Sequence, residues 1–486
     1  MRLNTLLNKL NIPQIVINNH KINSLEDNSL DCNLNDVFFV IPSLTNDNNK
    51  FIEEAITNGA KTIVYENIIN NKYSNINYIK VDDVKKTIAL SAKLFYKDIT
   101  KKIKLIGVTG TNGKTTITNL IHDYLCYEGH EVMMIGTNGI FFKKEHYNTN
   151  NTTPNLLLMT KVIKQALRKG LEYVVIEVSS IGIREQRVMY FDFDIIILSN
   201  VTHDHLDYHK TMIDYKFSKG IIISNMKYKK NKYVILNKDL DNFDFYNKLS
   251  EANVVTYSIV NQSDYQGVNV NKNINETSFR LLFNHNKYYF KTSLIGGFNV
   301  YNILSALACI NKLGFSINRF SDFLKLYVNV EGRMDLIKYK DKTVVIDFAH
   351  TPDSVENALK TLKEYSNRKL TVIIGAGGNR DKIKRSIIGE ITCKYADKII
   401  FTNDNPRDEI PTQIIDDITK EIKEYKYEII LDRKEAIYKA LNDSIKDEII
   451  AILGKGSENY QIIMGIKHPF SDKQTVKNYI KEHKNE

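Results

Sequence analysis

Tryptophan is absent from this chain, and only four cysteines and seven prolines occur in its 486 residues. Cys32, Cys126, Cys309 and Cys393 stand far apart and form no CxxC. Neither a disulfide framework nor a zinc site is therefore indicated, and a reduced, cytoplasmic setting is expected. With so little proline and no Gly/Ser-rich stretch there is no compositional linker, so domain boundaries have to come from pattern. No apolar run approaches the ~20 residues a membrane span needs; the densest, Ile195–Leu198, is strand-sized. The opening MRLNTLLNKLNIPQ is broken by Asn and Lys, so no signal peptide or membrane insertion is expected. Neither sign of charge dominates: 67 basic side chains against 57 acidic give +10. That thin, dispersed excess argues against a nucleic-acid partner and suits anionic small substrates. Hydrophobic residues at 43% and charged ones at 26% leave a globular chain. At ~100–200 residues per domain, its length implies about three domains.

Short β-branched runs alternate with helical stretches in three series. DVFFVIP and TIVYE lie in the first; KKIKLIG, VMMIG, YVVIEV and DIIILSN in the second. TVVIDF, LTVIIGAGG, KIIFTND, YEIIL and EIIAILG form the third. Such alternation predicts parallel sheets covered on both faces. The fold class is α/β in three domains: a small α/β N-terminal domain (1–100), a central P-loop doubly wound sheet (101–331) and a C-terminal Rossmann-like domain (332–486).

GVTGTNGKTT (107–116) ends a predicted strand and opens a predicted helix. Gly110 and Gly113 allow the backbone N–H groups of the loop, through Thr111 and Asn112, to turn inward on phosphate oxygens at a helix N-terminus. Lys114 would reach the outer phosphates, Thr115 would hold Mg²⁺, and Thr116 follows it. Val108 stands where the general pattern has Gly, so the loop is a variant one. Glu177 closes YVVIE, and NVTHDHLDYH crowds His203, Asp204, His205, Asp207 and His209 after another strand. Ligands in open α/β sheets sit at the carboxyl ends of strands, so both segments should converge on the loop. A strand-terminal acid there suits Mg²⁺, and His205 suggests a second cation site. A polar loop with capping aspartates is the plainer alternative.

Together these segments resemble the Mur ligase family, and the resemblance runs almost end to end. It is carried by TGTNGKTT, EVSS (177–180), DHLDYH (204–209), GGFNVYN (296–302), GRMD (332–335) and DFAHTPD (347–353). GAGGNRDKIKR (375–385), DNPRDE (404–409), GKGSENYQ (454–461) and FSDK (470–473) complete it in order. The resemblance implies an enzyme that spends ATP, with Mg²⁺, to turn a substrate carboxylate into an acyl phosphate that an amino group then displaces. It implies Lys114, Glu177, His205 and Lys219 as the catalytic group, with Thr115, Glu177 and His205 on the metal. Lys219 would carry a carbamate (N6-carboxylysine). Asn299 and Asn302 would meet adenine, Asp347 the ribose and Arg333 the phosphates. Ser29, Asn151, Thr152, Thr153, Ser179 and Arg187 would bind a UDP-N-acetylmuramoyl-dipeptide, the N-terminal domain reading its UDP. Arg380, Asp404, Asn405, Pro406, Arg407, Gly454 and Glu458 would hold the incoming amino acid. Arg407 goes with meso-diaminopimelate, whose distal carboxylate needs a cation; lanthionine, L-lysine or L-ornithine remain alternatives. A monomer in peptidoglycan precursor synthesis is expected. Rival readings are a divergent ligase with another acceptor, including a folylpolyglutamate-type one, and a nucleotide-dependent switch without catalysis. Departures gather on the substrate side: Asn28-Ser29-Leu30 and Asp47-Asn48-Asn49 replace usual N-terminal motifs, and Ile181, Glu185, Asn379 and Ser457 replace family residues.

Overall fold

A computed structural model describes residues 1–42, 48–67, 73–149, 151–365 and 369–483; Asp47 lies outside them. The chain divides into two compact units. The first comprises Met1–Val108, Glu128–Ile196 and Ile221–Lys232, and the second Thr109–Tyr127, Ile197–Gly220 and Tyr233–Glu486.

The first unit opens with a parallel four-stranded sheet of β1 (Leu25–Glu26), β2 (Val37–Phe39), β3 (Thr62–Tyr65) and β4 (Asn77–Lys80). Alternate side chains serve opposite faces. Val37, Phe39, Val64 and Ile79 pack on one side, while Phe38, Ile63 and Tyr65 pack on the other. The helix Val84–Phe95 covers the first face, and the Asp83 side chain caps it by accepting from Lys86 N–H. Further along come β5 (Lys104–Thr109), β6 (Val132–Gly136), β7 (Gly139–Phe142), β8 (Glu145–Tyr147) and β9 (Tyr173–Glu177). β9 lies parallel between β5 and β6, and β6-β7-β8 continue antiparallel. Val108 pairs with Glu177, so that acid stands at a strand's carboxyl end, as the pattern required.

β10 (Ile195–Leu198) is fully buried. In the second unit β11 (Tyr233–Asn237) and β12 (Asn253–Ser258) run parallel, followed by β13 (Tyr265–Lys272), β14 (Thr277–Phe283) and β15 (Asn286–Thr292) in an antiparallel meander. The helix Lys114–Tyr127 packs against the helix Gly297–Lys312, which is buried along most of its length. The last sheet comprises β16 (Asp335–Tyr339), β17 (Lys342–Asp347), β18 (Leu370–Ile374), β19 (Lys398–Phe401), β20 (Glu428–Ile429) and β21 (Ile449–Leu453). Its order is β16-β17-β21-β18-β19-β20, parallel except for β16. Val345, Ala451 and Leu453 face one core and Val344, Ile346, Ile450 and Ile452 the other, which is why these strands read as unbroken apolar runs. A hairpin of β22 (Tyr460–Ile463) and β23 (Ile466–Pro469) follows.

The expected run YEIIL contributes only the two residues of β20. It is the sheet's edge, half-exposed, and short edge strands offer little surface to unwanted pairing. The antiparallel meander and both hairpins were not read from the sequence. No helix among the described residues is long and apolar enough to cross a membrane.

Candidate active site

In the second unit the loop after β5 is shaped by two glycines with φ of +147° and +87°, Gly110 and Gly113. A Cβ on Gly110 would lie 1.9 Å from Ser199 Oγ, and one on Gly113 would lie 2.4 Å from Asn302 Oδ1. No larger residue fits either place. Thr111 N–H donates to Asn200 O and Asn112 N–H to Asn200 Oδ1, each at 2.8 Å. Lys114 Nζ is drawn over the loop by Gly110 O (2.9 Å) and Thr111 O (2.8 Å). Thr115 and Thr116 are buried in the first helical turn.

Lys219 is 1% exposed, donates to Gly110 O at 2.9 Å and sits 4.6 Å over the Tyr215 ring. Burial, reinforced by the nearby Lys114 charge, holds its ammonium well below the ordinary lysine range. Asp204 is buried, donates nothing, and is held low despite that burial by His205, Lys384 and His350. His205 has φ +54°, and its N–H donates to Asp204 Oδ1 at 2.9 Å. Burial, with Lys114, Lys219 and Lys384, pushes its imidazole down to about 4 against the pull of Asp204. Burial likewise lowers His350 to about 4, and Lys384 Nζ lies 3.5 Å from Asp204 Oδ1.

Residues from the last sheet reach this loop within the same unit. Arg333 donates to Thr115 Oγ1 at 3.0 Å and lies 4.5 Å over the Phe348 ring. Asn112 Nδ2 donates to Asp353 Oδ2 at 2.7 Å, and His203 Nε2 is 2.9 Å from Asp381 Oδ2. Asp347, whose carboxyl burial raises, accepts from Met334 N–H (2.7 Å) and Ala349 N–H (2.8 Å). Asn299 and Asn302 are buried and hydrogen-bonded to each other at 2.9 Å, not capping the helix. Lys384, His350, Tyr215 and Asn200 were not read as site residues. Lys384 stands in a run of basic residues that resembles a solvated face, and only tertiary burial distinguishes it.

In the first unit the Glu177 carboxylate accepts from Thr137 N–H and Thr137 Oγ1, both at 3.1 Å. Thr137 Oγ1 is 3.2 Å from Thr152 Oγ1. Thr153 Oγ1 accepts from Ser179 N–H (2.9 Å) and donates to Glu177 O (2.8 Å). Arg187 donates to Thr153 O at 2.9 Å. Ser179 Oγ also accepts from Gly182 N–H at 3.0 Å, capping a short helix. Asn151 is exposed. Ser29 is 2% exposed, and its hydroxyl donates to Glu54 at 2.5 Å, so its proton is already committed. Lys85 pairs with Glu185, which gives the substituted acid at that position a counter-charge.

The remaining cluster, again in the second unit, lies at the carboxyl ends of β18, β19 and β21. Arg407 is held at φ +53° by its N–H to Ile462 O (2.9 Å) and by Met464 N–H to its own carbonyl (2.8 Å). Its guanidinium donates to Gly378 O at 2.7 Å. Arg380 is exposed, and its charge helps to lower the Arg407 guanidinium, after burial. Asp404, Asn405 and Pro406 are buried beside Gly454. Asn405 Nδ2 donates to Glu458 Oε2 at 2.9 Å, and the fully buried Lys455 donates to the same oxygen at 2.8 Å. Lys455 was not anticipated. It already neutralises Glu458, which weakens the reading of that acid as a ligand's ammonium partner.

A cradle for a triphosphate, a buried lysine aimed at the same loop and two arginines beside a second set of strand ends form an ordered constellation that comparison with known proteins can test. Residues 108–310 match the Mur ligase middle domain and residues 332–456 the Mur ligase, glutamate ligase domain. A UDP-N-acetylmuramoyl-L-alanyl-D-glutamate–2,6-diaminopimelate ligase of Bacillus cereus is 36% identical, covering 99% of this chain and 98% of its own. The chain belongs to the Mur ligase family. The enzyme of the same name from Aquifex aeolicus is 38% identical over 91% of this chain and 90% of its own. A solved ligase of that name, 28% identical, superposes with a TM-score of 0.69 over 98% of both chains. A Mur-type MurF ligase of Thermotoga maritima in complex with ADP shares the fold, with a TM-score of 0.65 and 21% identity over 88% of this chain and 93% of its own. Mur ligases are ATP-dependent enzymes that form peptide bonds in peptidoglycan precursor synthesis, so this chain is a ligase, and its mixed α/β fold is that of its solved relatives.

Proposed function

We propose that this Mur ligase joins meso-diaminopimelate to the D-glutamate side-chain carboxylate of UDP-N-acetylmuramoyl-L-alanyl-D-glutamate, through an acyl phosphate. The observation that carries the reading is Lys219, buried beside the phosphate loop with its amine pushed toward the neutral form. The ammonium first gives a proton to water; the neutral nitrogen's lone pair then forms the N–C bond as one C=O π bond of CO₂ becomes C–O⁻, and a second N–H proton leaves to water, giving a carbamate anion. The change replaces a cation that competes with Lys114 by an anion able to orient cations around the terminal phosphate.

Substrate carboxylate and triphosphate repel one another, so the barrier to phosphoryl transfer is largely electrostatic. Lys114 and Arg333 supply fixed positive charge at the loop, and the helix N-terminus adds backbone N–H groups. Thr115, His205 and Glu177 are the groups that would hold Mg²⁺. Hydroxyl and carboxylate oxygens suit a hard cation completed by phosphate and water, whereas the neutral imidazole of His205 is a less usual Mg²⁺ ligand and points to a second cation. Mg²⁺ would neutralise developing charge on the transferred group. Asn299 and Asn302 stand for the adenine, Asp347 for the ribose, and Thr152, Thr153, Ser179 and Arg187 for the muramoyl-dipeptide. Ser29, with its proton given to Glu54, can only accept from a uridine. Arg380 and Arg407 supply the cationic end that diaminopimelate's distal carboxylate requires. Domain limits near residues 100 and 332, a cytoplasmic location and a monomeric state belong to the same reading.

ADP release measured with and without each co-substrate tests it. Release should require both the UDP-muramoyl-dipeptide and diaminopimelate, with lanthionine, lysine and ornithine turned over more slowly. Hydrolysis indifferent to both co-substrates contradicts the assignment. Mass spectrometry of the intact protein in bicarbonate should show the added mass of one CO₂, absent from Lys219→Arg.

A further inference from the structure

Two loops carry the arginines of the amino-acid pocket, and each contains a residue in a left-handed conformation: Asn379 at φ +51° and Arg407 at φ +53°. L-residues rarely adopt the left-handed conformation, and it persists where surroundings over-determine it. Arg407 is held by the β22–β23 hairpin, whereas the ties on the Asn379 side and on the strand end beneath both loops converge on one side chain. Glu409 accepts from the Asn379 N–H and, with both oxygens, from the two terminal nitrogens of Arg385 at 2.8 Å. Arg385 is fully buried, and it also donates to Gly377 O (3.1 Å) and Asp417 (2.8 Å). Between the loops, Asp408 N–H donates to Asn379 Oδ1 at 3.1 Å and Gly378 N–H to Asn405 O at 2.9 Å.

We propose that Glu409, acting through Arg385 and the Asn379 amide, is a positioning residue that holds Arg380 and Arg407 in register for the distal carboxylate of the incoming amino acid. The proposal rests on the reading of that pocket given above. Two guanidinium groups left to themselves would separate. A bidentate carboxylate locked to a buried arginine fixes the backbone beneath both, and fork-to-fork pairing adds direction as well as strength. The Glu409 carboxylate and the Arg385 guanidinium are spent on each other, on the Asn379 amide, on Gly377 O and on Asp417, so their part is to set where the anchors point.

Steady-state kinetics of the whole enzyme test this. Glu409→Gln keeps the shape but loses the charge; it should raise the KM for diaminopimelate about tenfold, the size of one charge-assisted hydrogen bond. The kcat and the KM for ATP should stay within about twofold. Glu409→Asp should recover part of the loss. Asn379→Gly tolerates the left-handed turn but severs the bond from Asp408, and should move the same KM in the same direction. If Glu409→Gln does not fold, Asn379→Gly decides alone. An unchanged diaminopimelate KM, or KM values for all three substrates rising together, overturns the proposal. Arg407→Gln separates the two layers. If it raises that KM while the Glu409 variant does not, positioning fails and the pocket stands. If it has no effect, the pocket reading fails first.

Discussion

His205, Met334, Asn379 and Arg407 share a backbone conformation that L-residues avoid, with φ between +48° and +54°. Each is held in it by a named bond: His205 by Asp204, Met334 by Asp347, Asn379 by Glu409, Arg407 by the β22–β23 hairpin. All four lie in motifs that the sequence had marked for chemistry, although the same conformation also occurs in plain turns such as those at Lys97, Lys143 and Asn284. Glu409 makes the electrostatics testable. Hydrogen bonds from Arg385 are the main cause that holds its carboxyl at about 2 instead of 4.5. A carboxylate lowered on folding stabilises the native state fully above the unfolded value and loses that contribution as pH falls through the folded one. Solvent around this carboxylate screens the pair, so Glu409→Gln should lower stability at pH 7 by about 1 kcal/mol, and by less at pH 3. Urea unfolding at the two pH values checks this, and a pH-independent gap would contradict it.

Two C-terminal helices, Arg433–Asp443 and Asp472–Glu482, are joined by an ion pair with no solvent exposure on either side. Arg433 Nε and Nη2 donate to the two Asp472 oxygens at 2.7 and 2.8 Å, and the guanidinium also reaches Leu453 O and Asn403 O. The bonds tie both helices to the carboxyl ends of β19 and β21, immediately beside the segments that carry Asp404 and Gly454. Removing one partner of a buried pair strands the other charge, typically at about 3–5 kcal/mol. Asp472→Asn should lower stability by that amount in chemical denaturation; a loss below about 1 kcal/mol would mean that Arg433 finds other acceptors. Neither helix advertised this from sequence. RKEAIYKALND and DKQTVKNYIKE are rich in charge, and a buried arginine in such a stretch looks like its exposed neighbours.

Across the second unit, side-chain contacts join the phosphate-loop region to the C-terminal sheet, among them Asn112 to Asp353 and to Thr351, Thr115 to Arg333, His203 to Asp381 and Asp204 to Lys384. Each pairs residues far apart in the chain, and such contacts couple two regions only where a double-mutant cycle shows it. A double-mutant cycle of Asn112→Ala and Asp353→Ala, read as the affinity for a non-hydrolysable ATP analogue by calorimetry, should show a coupling of about 0.5–3 kcal/mol. Additive single effects would show that the 2.7 Å contact transmits nothing.

The alternation of apolar runs and helices, the phosphate loop and the order of motifs were legible without coordinates, because strand periodicity, glycine at obligatory turns and residue type at fixed spacing are local properties. The parallel sheets and the strand-end position of Glu177 follow that reading; Lys219 was marked by the family resemblance instead. Other features depend on what folding brings near a side chain. Burial alone makes Lys219 a candidate for a neutral amine and singles out Lys384 from a basic run. The partnership of Lys455 with Glu458, the commitment of Ser29 to Glu54, and the Glu409–Arg385 clamp join residues by proximity that spacing cannot encode. Dielectric environment and hydrogen-bond partnership are properties of three-dimensional neighbourhoods, and a chain written in one dimension carries them only after it has folded.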